Sequence, residues 1–361
     1  MSDFVKRINK LQNLIKENNS ALLITDENNV YYLSGVLKSE GKVLILKDKA
    51  YLLVDFRYIE ISKKICKSCE VAESDNFIED IKSICKKHNI NTLYLESENI
   101  TLSRYNVLLK NFNSIGISII SDDTLSKAVS NLRLIKSEEE IDYINEAQRI
   151  TEKAYSEVLN YIKPGESEIN ISIELERLLK KEGASGVSFD LITITGKNTS
   201  LPHGVPGDNV IKEGDFFTFD IGSLYNGYHS DMTRTIAVKR CDEYKKEIYN
   251  IVLNAQTLAL SKVKAGVKAC EIDKTARDII KNEGYGKNFG HSTGHGVGLD
   301  IHELPFVSLK NEAILSENMV ITVEPGIYIE NEFGVRIEDM VLVKENGYKN
   351  FAELPKELII V

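Results

Sequence analysis

Short apolar runs alternate with segments of helical periodicity in the first third of the chain. Apolar residues that recur every three to four positions indicate amphipathic helices, and short apolar or β-branched runs indicate strands. We predict helices over residues 4–18, 77–88 and 103–111, strands over 21–25, 92–95 and 115–120, an extended segment over 30–33 and a hairpin over 42–54. Alternation of this kind is typical of a layered α/β domain.

A long amphipathic pattern follows and marks a second region. Ser137 and Glu140 form the sequence signature of a capping box, and the helix that they start continues to residue 162, before Pro164 stops it. A chain of 361 residues is long enough for two domains. We therefore expect one domain over residues 1–131 and a second over residues 132–361.

Two aspartates flank a predicted hairpin in the second region. Residues 216–222 and 229–238 have the pattern of strands, and the Asn-Gly pair between them is a strong signal of a tight turn. Residues of equal parity about a turn share a face of the sheet, so Asp220 is expected opposite or diagonal to Asp231. Two like charges at that distance repel each other.

A second acidic pair has the same arrangement. Residues 319–324 and 335–343 have the pattern of strands, and Glu324 and Glu338 are symmetric about Asn331. We therefore expect this second pair of carboxylates to face inward as well.

One histidine in a glycine-rich segment completes a candidate metal site. Buried charges without partners are costly, and carboxylates brought together either take up protons or bind cations. One imidazole among oxygen ligands suits Mn, Co, Fe or Zn better than Ca. The glycines of residues 290–298 would let the backbone approach a ligand closely. A single aspartate in a hairpin is more often a turn residue, but five residues in consistent contexts favour two adjacent divalent ions. The five are Asp220, Asp231, His295, Glu324 and Glu338.

The second region also contains an internal repeat. Residues 163–183, KPGESEINISIELERLLKKEG, align without gaps on residues 264–284, KAGVKACEIDKTARDIIKNEG, at an offset of 101. Each copy is followed by a histidine, His203 or His302, and then by one of the carboxylate hairpins. Chance similarity between two amphipathic helices is the alternative. The shared order of site residues favours two duplicated halves, with the ligand site at their seam.

Five sequence contexts resemble, in order and type, the prolidase and aminopeptidase P branch of the pita-bread metallopeptidases, family M24. They are LPHGVP, FDIG with SDMTRT, HSTGHGVGLDIHE, TVEPGIY and GVRIED. The resemblance is close from Ser137 onward and looser before it. It implies an α/β (α+β) protein, with a creatinase-like three-layer α/β domain at the N-terminus followed by a pseudo-two-fold pita-bread catalytic domain.

The resemblance also implies roles for the acidic residues. Asp231 and Glu338 would bridge two metal ions, Asp220 would complete one metal site, and His295 with Glu324 would complete the other. A water that bridges two cations loses a proton near neutral pH and supplies a hydroxide nucleophile. Glu324 would then carry that proton to the leaving nitrogen as general base. We expect two divalent ions per subunit, Mn²⁺ first, with Co²⁺ or Zn²⁺ as alternatives.

Further residues take roles from the same motifs. His203 and His302 resemble the two non-ligand histidines of the family, which hydrogen-bond the substrate and the tetrahedral intermediate. Arg336 is expected to pair with a metal-binding carboxylate. His291, four residues before His295, would flank the site and contact substrate.

The resemblance implies a peptide substrate with proline in the second position. The VDFRY segment and Pro202 look more like the Xaa-Pro-cleaving branch than like methionine aminopeptidases. A dipeptidase must also capture the C-terminal carboxylate, and Lys310 is the only cation between the DIHE and VEPG motifs. Lysine is a poor bidentate clamp, so we expect cleavage at the N-terminus of longer peptides, with prolidase action on dipeptides as the alternative. A non-catalytic peptide-binding module is disfavoured, because all five ligands are present.

Composition and charge bear on the binding partners and the cellular location of the protein. A net charge of -9 without a long basic block argues against a nucleic-acid partner. The first twenty residues are charged and lack a continuous apolar run, so we expect no signal peptide, no membrane association and a cytoplasmic location. Five cysteines, including the Cys66 and Cys69 pair, are expected to be reduced thiols. The resemblance implies a homodimer.

Overall fold

The computed structural model describes residues 2–361, which form two compact units. The first unit ends at Arg133, and the second begins at Leu134. Helix Thr124–Leu134 runs across residue 131, and the domain boundary expected there stays a prediction. Among residues 2–361, no helix combines the length and the apolar character that a membrane span requires.

The first unit is built on a six-stranded mixed sheet. Its strands are β1 (Ser20–Ile24), β2 (Lys42–Ile45), β3 (Ala50–Val54), β4 (Glu70–Glu73), β5 (Thr92–Leu95) and β6 (Ser118–Ile120), in the order β4-β3-β2-β1-β5-β6. Its helices are α1 (Asp3–Gln12), α2 (Glu27–Ser34), α3 (Ile59–Ile65), α4 (Phe77–Lys87), α5 (Leu102–Asn113) and α6 (Thr124–Leu134). Only β1–β2 and β2–β3 are antiparallel pairs, and the second is the hairpin predicted over residues 42–54. Side chains of α4 and α5, including the fully buried Phe112, pack with strand residues in one core.

Residues 30–33 are helical, and the prediction of an extended segment there is wrong. They lie within α2, whose N-cap Asp26 accepts a hydrogen bond from the amide of Asn29 and whose C-cap Gly35 is left-handed, with φ of 76°. These end signals define a short helix. All four residues from 30 to 33 are buried, and a short apolar run has no periodicity that separates a buried helix from a strand.

The second unit combines four α-helices with four small sheets. The helices are α7 (Glu138–Val158), α8 (Glu168–Lys181), α9 (Glu243–Leu260) and α10 (Ala269–Asn282). The strands of the first half are β7 (Gly186–Val187), β8 (Ile192–Thr195), β9 (Phe216–Ile221), β10 (Ser223–Tyr225), β11 (Tyr228–His229) and β12 (Met232–Ala237), in the orders β12-β9-β8 and β11-β10-β7. Those of the second half are β13 (Gly294–Gly296), β14 (Glu303–Val307), β15 (Val320–Val323), β16 (Gly326–Ile329), β17 (Phe333–Arg336), β18 (Asp339–Lys344) and β19 (Gly347–Asn350), in the orders β14-β13-β15-β18-β19 and β16-β17.

The predicted repeat corresponds to two helices that are flanked by the same glycines and by the same order of elements along the chain. Helix α8 covers residues 168–181 and α10 covers residues 269–282, so both boundaries are 101 residues apart. Gly165 and Gly266 before the helices, and Gly183 and Gly284 after them, all have positive φ. A longer helix precedes each copy and a carboxylate hairpin follows it, as expected for duplicated halves. Ser137 caps α7 with Glu140 in the predicted capping box.

Candidate metal centre

Strand alternation directs the acidic residues away from the two hydrophobic cores. Phe219 and Ile221 are fully buried in the core of the first half, so Asp220 between them lies on the opposite face of β9. Ile337 belongs to the core of the second half, and its neighbour Glu338 faces the other way. All five predicted ligands line one cavity of about 600 Å³ in the second unit.

The first hairpin has the predicted turn. Asn226 and Gly227 have φ values of 48° and 82°, and two successive positive φ angles are the signature of a type I′ turn. Strand β9 pairs with β12 so that Thr233 lies opposite Asp220. Asp231, two residues before Thr233, is therefore diagonal to Asp220.

The second hairpin is symmetric about Asn331, as predicted. Asn331 has a φ of 61°, and the β15–β18 pairing places Val323 opposite Asp339. Glu324 and Glu338 continue this register at the point where β15 and β18 leave the ladder. Both glutamates line the cavity.

His295 turns one defined ring nitrogen towards the carboxylates. Nδ1 lies 3.0 Å from the carbonyl oxygen of Gly296, which can only accept, so Nδ1 carries the proton. Nε2 lies 3.5 Å from Oδ2 of Asp231 and 3.4 Å from Oε1 of Glu324. A neutral imidazole thus presents a lone pair to two carboxylates, an arrangement that a cation between them would stabilise.

The glycines beside His295 allow close packing within the sheet. A Cβ atom at Gly294 would lie 2.0 Å from the carbonyl oxygen of Thr322, and one at Gly296 would lie 2.3 Å from that of Leu304. Gly294 also lines the cavity, and the expected close approach of this backbone to a ligand stays a prediction. Both glycines allow β13 to pack closely against neighbouring backbone.

The donor atoms of three residues meet the spacing of a metal site. One ligand atom from each of Asp231, His295 and Glu338 lies within 4.8 Å of the other two, and all three residues are buried. Oε1 of Glu338 is buried without a hydrogen-bond partner among residues 2–361. Asp220 and Glu324 line the same cavity.

Burial and mutual repulsion shift the titration of this cluster. Burial raises the pKa of Glu324 to about 7. Burial, and then the charges of neighbouring carboxylates, raise the pKa of Asp231 and of Glu338 well above the ordinary carboxyl range. Burial lowers the pKa of His295. Without a bound cation, these carboxyl groups therefore favour their protonated forms, as expected where several carboxylates share a buried site.

Arg336 connects three parts of the centre. Its Nη2 donates to Oδ2 of Asp220 at 2.6 Å, and its Nε donates to Oγ1 of Thr233 at 3.1 Å. Thr233 in turn donates to Oε2 of Glu338 at 2.7 Å. Nη1 of Arg336 donates to the hydroxyl of Tyr328 at 2.7 Å. One buried guanidinium thus orients carboxylates from both halves.

His291 lies at the end of this network. Its Nδ1 donates to the carbonyl oxygen of Ser292 at 2.8 Å, and its Nε2 lies 2.9 Å from the hydroxyl of Tyr328. Tyr328 accepts from Arg336 and so donates to His291. Burial, and then the nearby charge of Arg336, lower the pKa of His291 to about 4. His291 is thus a neutral acceptor at the cavity wall.

The remaining predicted residues divide into two groups. His203 and His302 line the cavity, and the ring of His302 lies 4.4 Å from that of His295, centroid to centroid. Lys310 is exposed in the turn after β14 and is not among the lining residues. A contact between Lys310 and substrate stays a prediction.

Two threonines that hydrogen-bond the candidate ligands were not predicted from the sequence. Thr233 holds Glu338, while Thr322 donates to Oε1 of Glu324 at 3.2 Å and accepts from the amide of His295 at 3.0 Å. Thr322 lies two residues before Glu324, and Thr233 two residues after Asp231, so strand parity was the available signal. A hydroxyl on the ligand face of a strand is well placed to orient a ligand.

Two family models together cover most of the chain. The Creatinase/Prolidase N-terminal domain matches residues 7–135, and metallopeptidase family M24 matches residues 142–345. The expected order of a creatinase-like domain and a pita-bread domain is therefore confirmed.

Relatives and solved structures agree along the full length. The chain is 41% identical to a Xaa-Pro dipeptidase of Pyrococcus furiosus, over 98% of this chain and 99% of that protein. The structure of a Xaa-Pro dipeptidase from Bacillus anthracis superposes with a TM-score of 0.93 at 39% identity, covering 99% of both chains. An X-Pro aminopeptidase from Thermotoga maritima gives a TM-score of 0.90 at 38% identity, covering 97% of this chain and 99% of that one.

Proposed function

The chain belongs to metallopeptidase family M24, and from that premise we propose that it hydrolyses the peptide bond between a first residue and a following proline. The observation that carries this proposal is the set of four buried or half-buried carboxylates that line one cavity with His295, two of them within 3.5 Å of its Nε2. Such a cluster has the donors for divalent ions inside a cavity of peptide size.

The residues present fit divalent metal ions. Oε1 of Glu338 is a buried oxygen without a partner among residues 2–361, and the carboxyl groups of Asp231 and Glu338 have raised pKa values. A cation satisfies both conditions. We propose that Asp231 and Glu338 contribute to both of two adjacent sites, that Asp220 completes one, and that His295 and Glu324 complete the other. Bound metal ions would supply Lewis-acid polarisation of a carbonyl and a nucleophile from water near neutral pH.

Glu324 is proposed as the group that moves the proton. Glu324 lines the cavity, and a carboxylate within hydrogen-bond reach of the attacking water can act as its general base. Its Oε1 also accepts from Thr322, which limits the rotation of the carboxylate. In the proposed reaction Glu324 takes a proton from the attacking water and delivers it to the proline nitrogen as that bond breaks.

His203 and His302 are proposed to bind the reacting carbonyl group. Both line the cavity, and burial lowers the pKa of His302, so its ring is neutral near pH 7 and keeps one N–H to donate. A hydrogen bond to an oxygen on which charge develops stabilises the transition state more than the ground state. Apolar residues on the cavity wall, Phe189, Leu191, Ile192, Val205, Ile301 and Phe306, would exclude water from the substrate.

Dipeptides are the substrates that the relatives support best. The Pyrococcus furiosus and Bacillus anthracis proteins are both named Xaa-Pro dipeptidases. The sequence alone had favoured longer peptides over dipeptides, and the relatives reverse that preference. Cleavage of longer peptides is the second candidate, because Lys310 is not among the lining residues and Arg336 already donates to three side chains. The second unit therefore brings no uncommitted Lys or Arg to the cavity among its described residues.

The proposal also includes the bound metal, the oligomeric state and the cellular location of the protein. Mn²⁺ is the proposed metal, with Co²⁺ or Zn²⁺ as alternatives, because one imidazole among carboxylates suits these ions. A homodimer is proposed from the family resemblance. A cytoplasmic location is supported by the five free cysteines, because structural disulfides are rare in reducing compartments. Metal analysis and light scattering of the purified protein test the first two.

Metal-stripped protein should be assayed on Xaa-Pro dipeptides and on Xaa-Pro-Xaa tripeptides, with and without added Mn²⁺ or Co²⁺. Metal-dependent cleavage of dipeptides alone supports the main proposal, and cleavage of tripeptides alone supports the second candidate. No cleavage of either substrate by protein with bound metal would refute the Xaa-Pro assignment.

A further inference from the structure

Glu168, the first residue of α8, is a buried carboxylate outside the metal centre. Its side chain has no exposed surface. Oε1 accepts from the amide of Thr195 at 2.8 Å and from Nδ2 of Asn198 at 3.0 Å. Oε2 accepts from the amide of Gly207 at 3.1 Å and from Nδ2 of Asn209 at 3.2 Å. All four donors are neutral, so Glu168 is not half of an ion pair with them.

These donors lie on both sides of His203. Thr195 ends β8 and Asn198 lies in the short 3₁₀ helix that follows, whereas Gly207 and Asn209 come after His203. The segment between Ser200 and Gly207 contains no strand or helix, and Val205 within it is 83% exposed. The loop that brings His203 to the cavity therefore lacks the hydrogen-bond ladder of a strand or helix. Glu168 joins the two ends of this loop through one carboxylate.

Backbone hydrogen bonds also join the start of α8 to the end of the His203 loop. The amide of Glu168 donates to the carbonyl oxygen of Asn209 at 3.0 Å, and the amide of Ile169 donates to that of Gly207 at 3.0 Å. A carboxylate in the first turn also interacts favourably with the helix dipole, and that effect alone would explain an exposed glutamate here. It does not explain why all four donors to the Glu168 side chain flank the loop that contains His203.

The second half contains a buried carboxylate at a different position of its helix, since the repeat aligns Glu168 with Ala269. Asp273 on α10 is fully buried and accepts from the amide of Thr293 at 3.1 Å and from its hydroxyl at 2.8 Å. Asp273 also binds Arg277, which donates to the carbonyl oxygen of His291 at 2.8 Å. The repeated helices thus each use a buried carboxylate to hold the segment that carries a histidine of the cavity.

We propose that Glu168 is a positioning residue for His203, and this inference rests on the proposed function. The carboxylate fixes both ends of the loop, so that the His203 ring is held at the cavity before substrate arrives. Pre-organisation of this kind matters because a misplacement of about 1 Å by a distant substitution can cost on the order of 100-fold in rate.

Glu168→Gln is the central variant for the test. It keeps the size of the side chain, but an NH₂ group replaces one acceptor oxygen and faces N–H donors. Asn198→Ala is a milder second variant, because it removes one donor from the loop and leaves Glu168 intact. Glu166→Gln is the matched control, since among residues 2–361 the side chain of Glu166 accepts only from Ser167 and Asn170 beside it in the chain.

Hydrogen exchange of the metal-free protein is the first measurement, because it does not depend on activity. We expect faster exchange over residues 195–209 in Glu168→Gln, a smaller effect in Asn198→Ala and no change in Glu166→Gln. Unchanged exchange over this segment in Glu168→Gln would overturn the inference, even for a protein that cleaves no Xaa-Pro peptide. Exchange in α9, remote from the loop, reports whether Glu168→Gln remains folded.

Kinetics on a cleaved substrate is the second measurement. We expect Glu168→Gln to lower kcat/KM about 10- to 100-fold with unchanged metal content, and Glu166→Gln to match the wild type. In a His203→Ala background the further loss caused by Glu168→Gln should largely disappear, because both changes act through one group. A full additional loss in that background would show that Glu168 acts independently of His203. If the wild type cleaves no Xaa-Pro peptide, the proposed function fails, and the exchange result alone decides the role of Glu168.

Discussion

Arg336 donates to Asp220 at 2.6 Å across the two halves of the second unit. Asp220 is carried by the first hairpin and Arg336 by the second, two residues before Glu338. The contact joins a candidate metal ligand of one half to the strand that supplies a ligand of the other. Arg336 also donates to Thr233 and Tyr328, and the buried Arg234 of the first hairpin pairs with Asp339 of the second, so two guanidinium groups join the hairpins.

Arg336→Lys is expected to weaken metal binding about 10- to 100-fold, because loss of groups that orient metal ligands has effects of that size. A lysine ammonium is a single compact donor group and cannot reproduce the fork that contacts Asp220, Thr233 and Tyr328 together. Calorimetric titration of the metal-free variant with Mn²⁺ measures the change. Arg149→Lys, on the surface of α7, is the control, since Arg149 pairs only with Glu146 among the contacts described. Wild-type affinity in Arg336→Lys would contradict the orienting role.

Glu338→Gln is expected to abolish metal binding and activity while it stabilises the metal-free protein. The raised pKa of Glu338 shows that its charged form is unfavourable where it is buried, and a neutral amide removes that penalty. The amide oxygen can still accept from Thr233. Thermal denaturation with and without Mn²⁺ should therefore show a higher starting Tm and no metal-dependent increase. Activity in a metal-free Glu338→Gln protein would refute the metal mechanism, and Asp231→Asn should behave in the same way.

Glu324 is expected to contribute less to the stability of the metal-free protein as pH rises to neutrality. Burial raises the pKa of Glu324 from 4.5 to about 7, so between these values the folded state binds more protons than the unfolded state. The free energy of unfolding then decreases with increasing pH over that window. Bound metal favours the charged carboxylates, so the Tm gained on adding Mn²⁺ should grow with pH.

Tm measured at intervals from about pH 5 to about pH 8, with chelator or with Mn²⁺, tests this pH dependence. Glu324→Gln should reduce the slope in chelator, because it removes one titrating group. Equal slopes for Glu324→Gln and the wild type in chelator would show that Glu324 does not hold a proton in the folded, metal-free protein.

His302→Ala is expected to lower kcat about 100-fold and to leave metal content unchanged, because one hydrogen-bond donor to the developing oxyanion is lost. The ring of His302 lies beside that of His295, but no contact of His302 is to a carboxylate of the cluster. Metal analysis and steady-state kinetics on the same preparation separate the two effects. His302→Ala protein that has lost its metal would instead assign His302 to metal binding.

Lys310→Ala is expected to leave the ratio of dipeptide to tripeptide cleavage unchanged. Lys310 is exposed and does not line the cavity. Competition between the two substrates, followed by chromatography, measures the ratio directly. A selective loss of dipeptide cleavage would restore Lys310 as the group that binds the substrate carboxylate.

Local sequence signals predict how the acidic residues of the candidate metal centre are paired. The Asn-Gly turn and strand parity predict that Asp220 and Asp231 share a face, and the symmetry of Glu324 and Glu338 about Asn331 predicts the second pair. These features depend on residues within one hairpin, where backbone geometry relates sequence position to direction. The capping box of α7 and the repeat of α8 and α10 are local in the same sense.

The arrangement between elements was decided by the tertiary structure. No spacing along the chain shows that Thr233 would hold Glu338, that Glu168 would connect both ends of the His203 loop, or that Lys310 would point into solvent. Residues 30–33 form a buried helix for the same reason, since an apolar run is compatible with either structure until its packing partners are known. Local periodicity determines which face a side chain occupies, but the contacts across that face depend on the packing of segments distant in sequence. Local patterns in the sequence therefore indicate the candidate ligands and their pairing, whereas the groups that hold those side chains in place follow from the packing of distant segments.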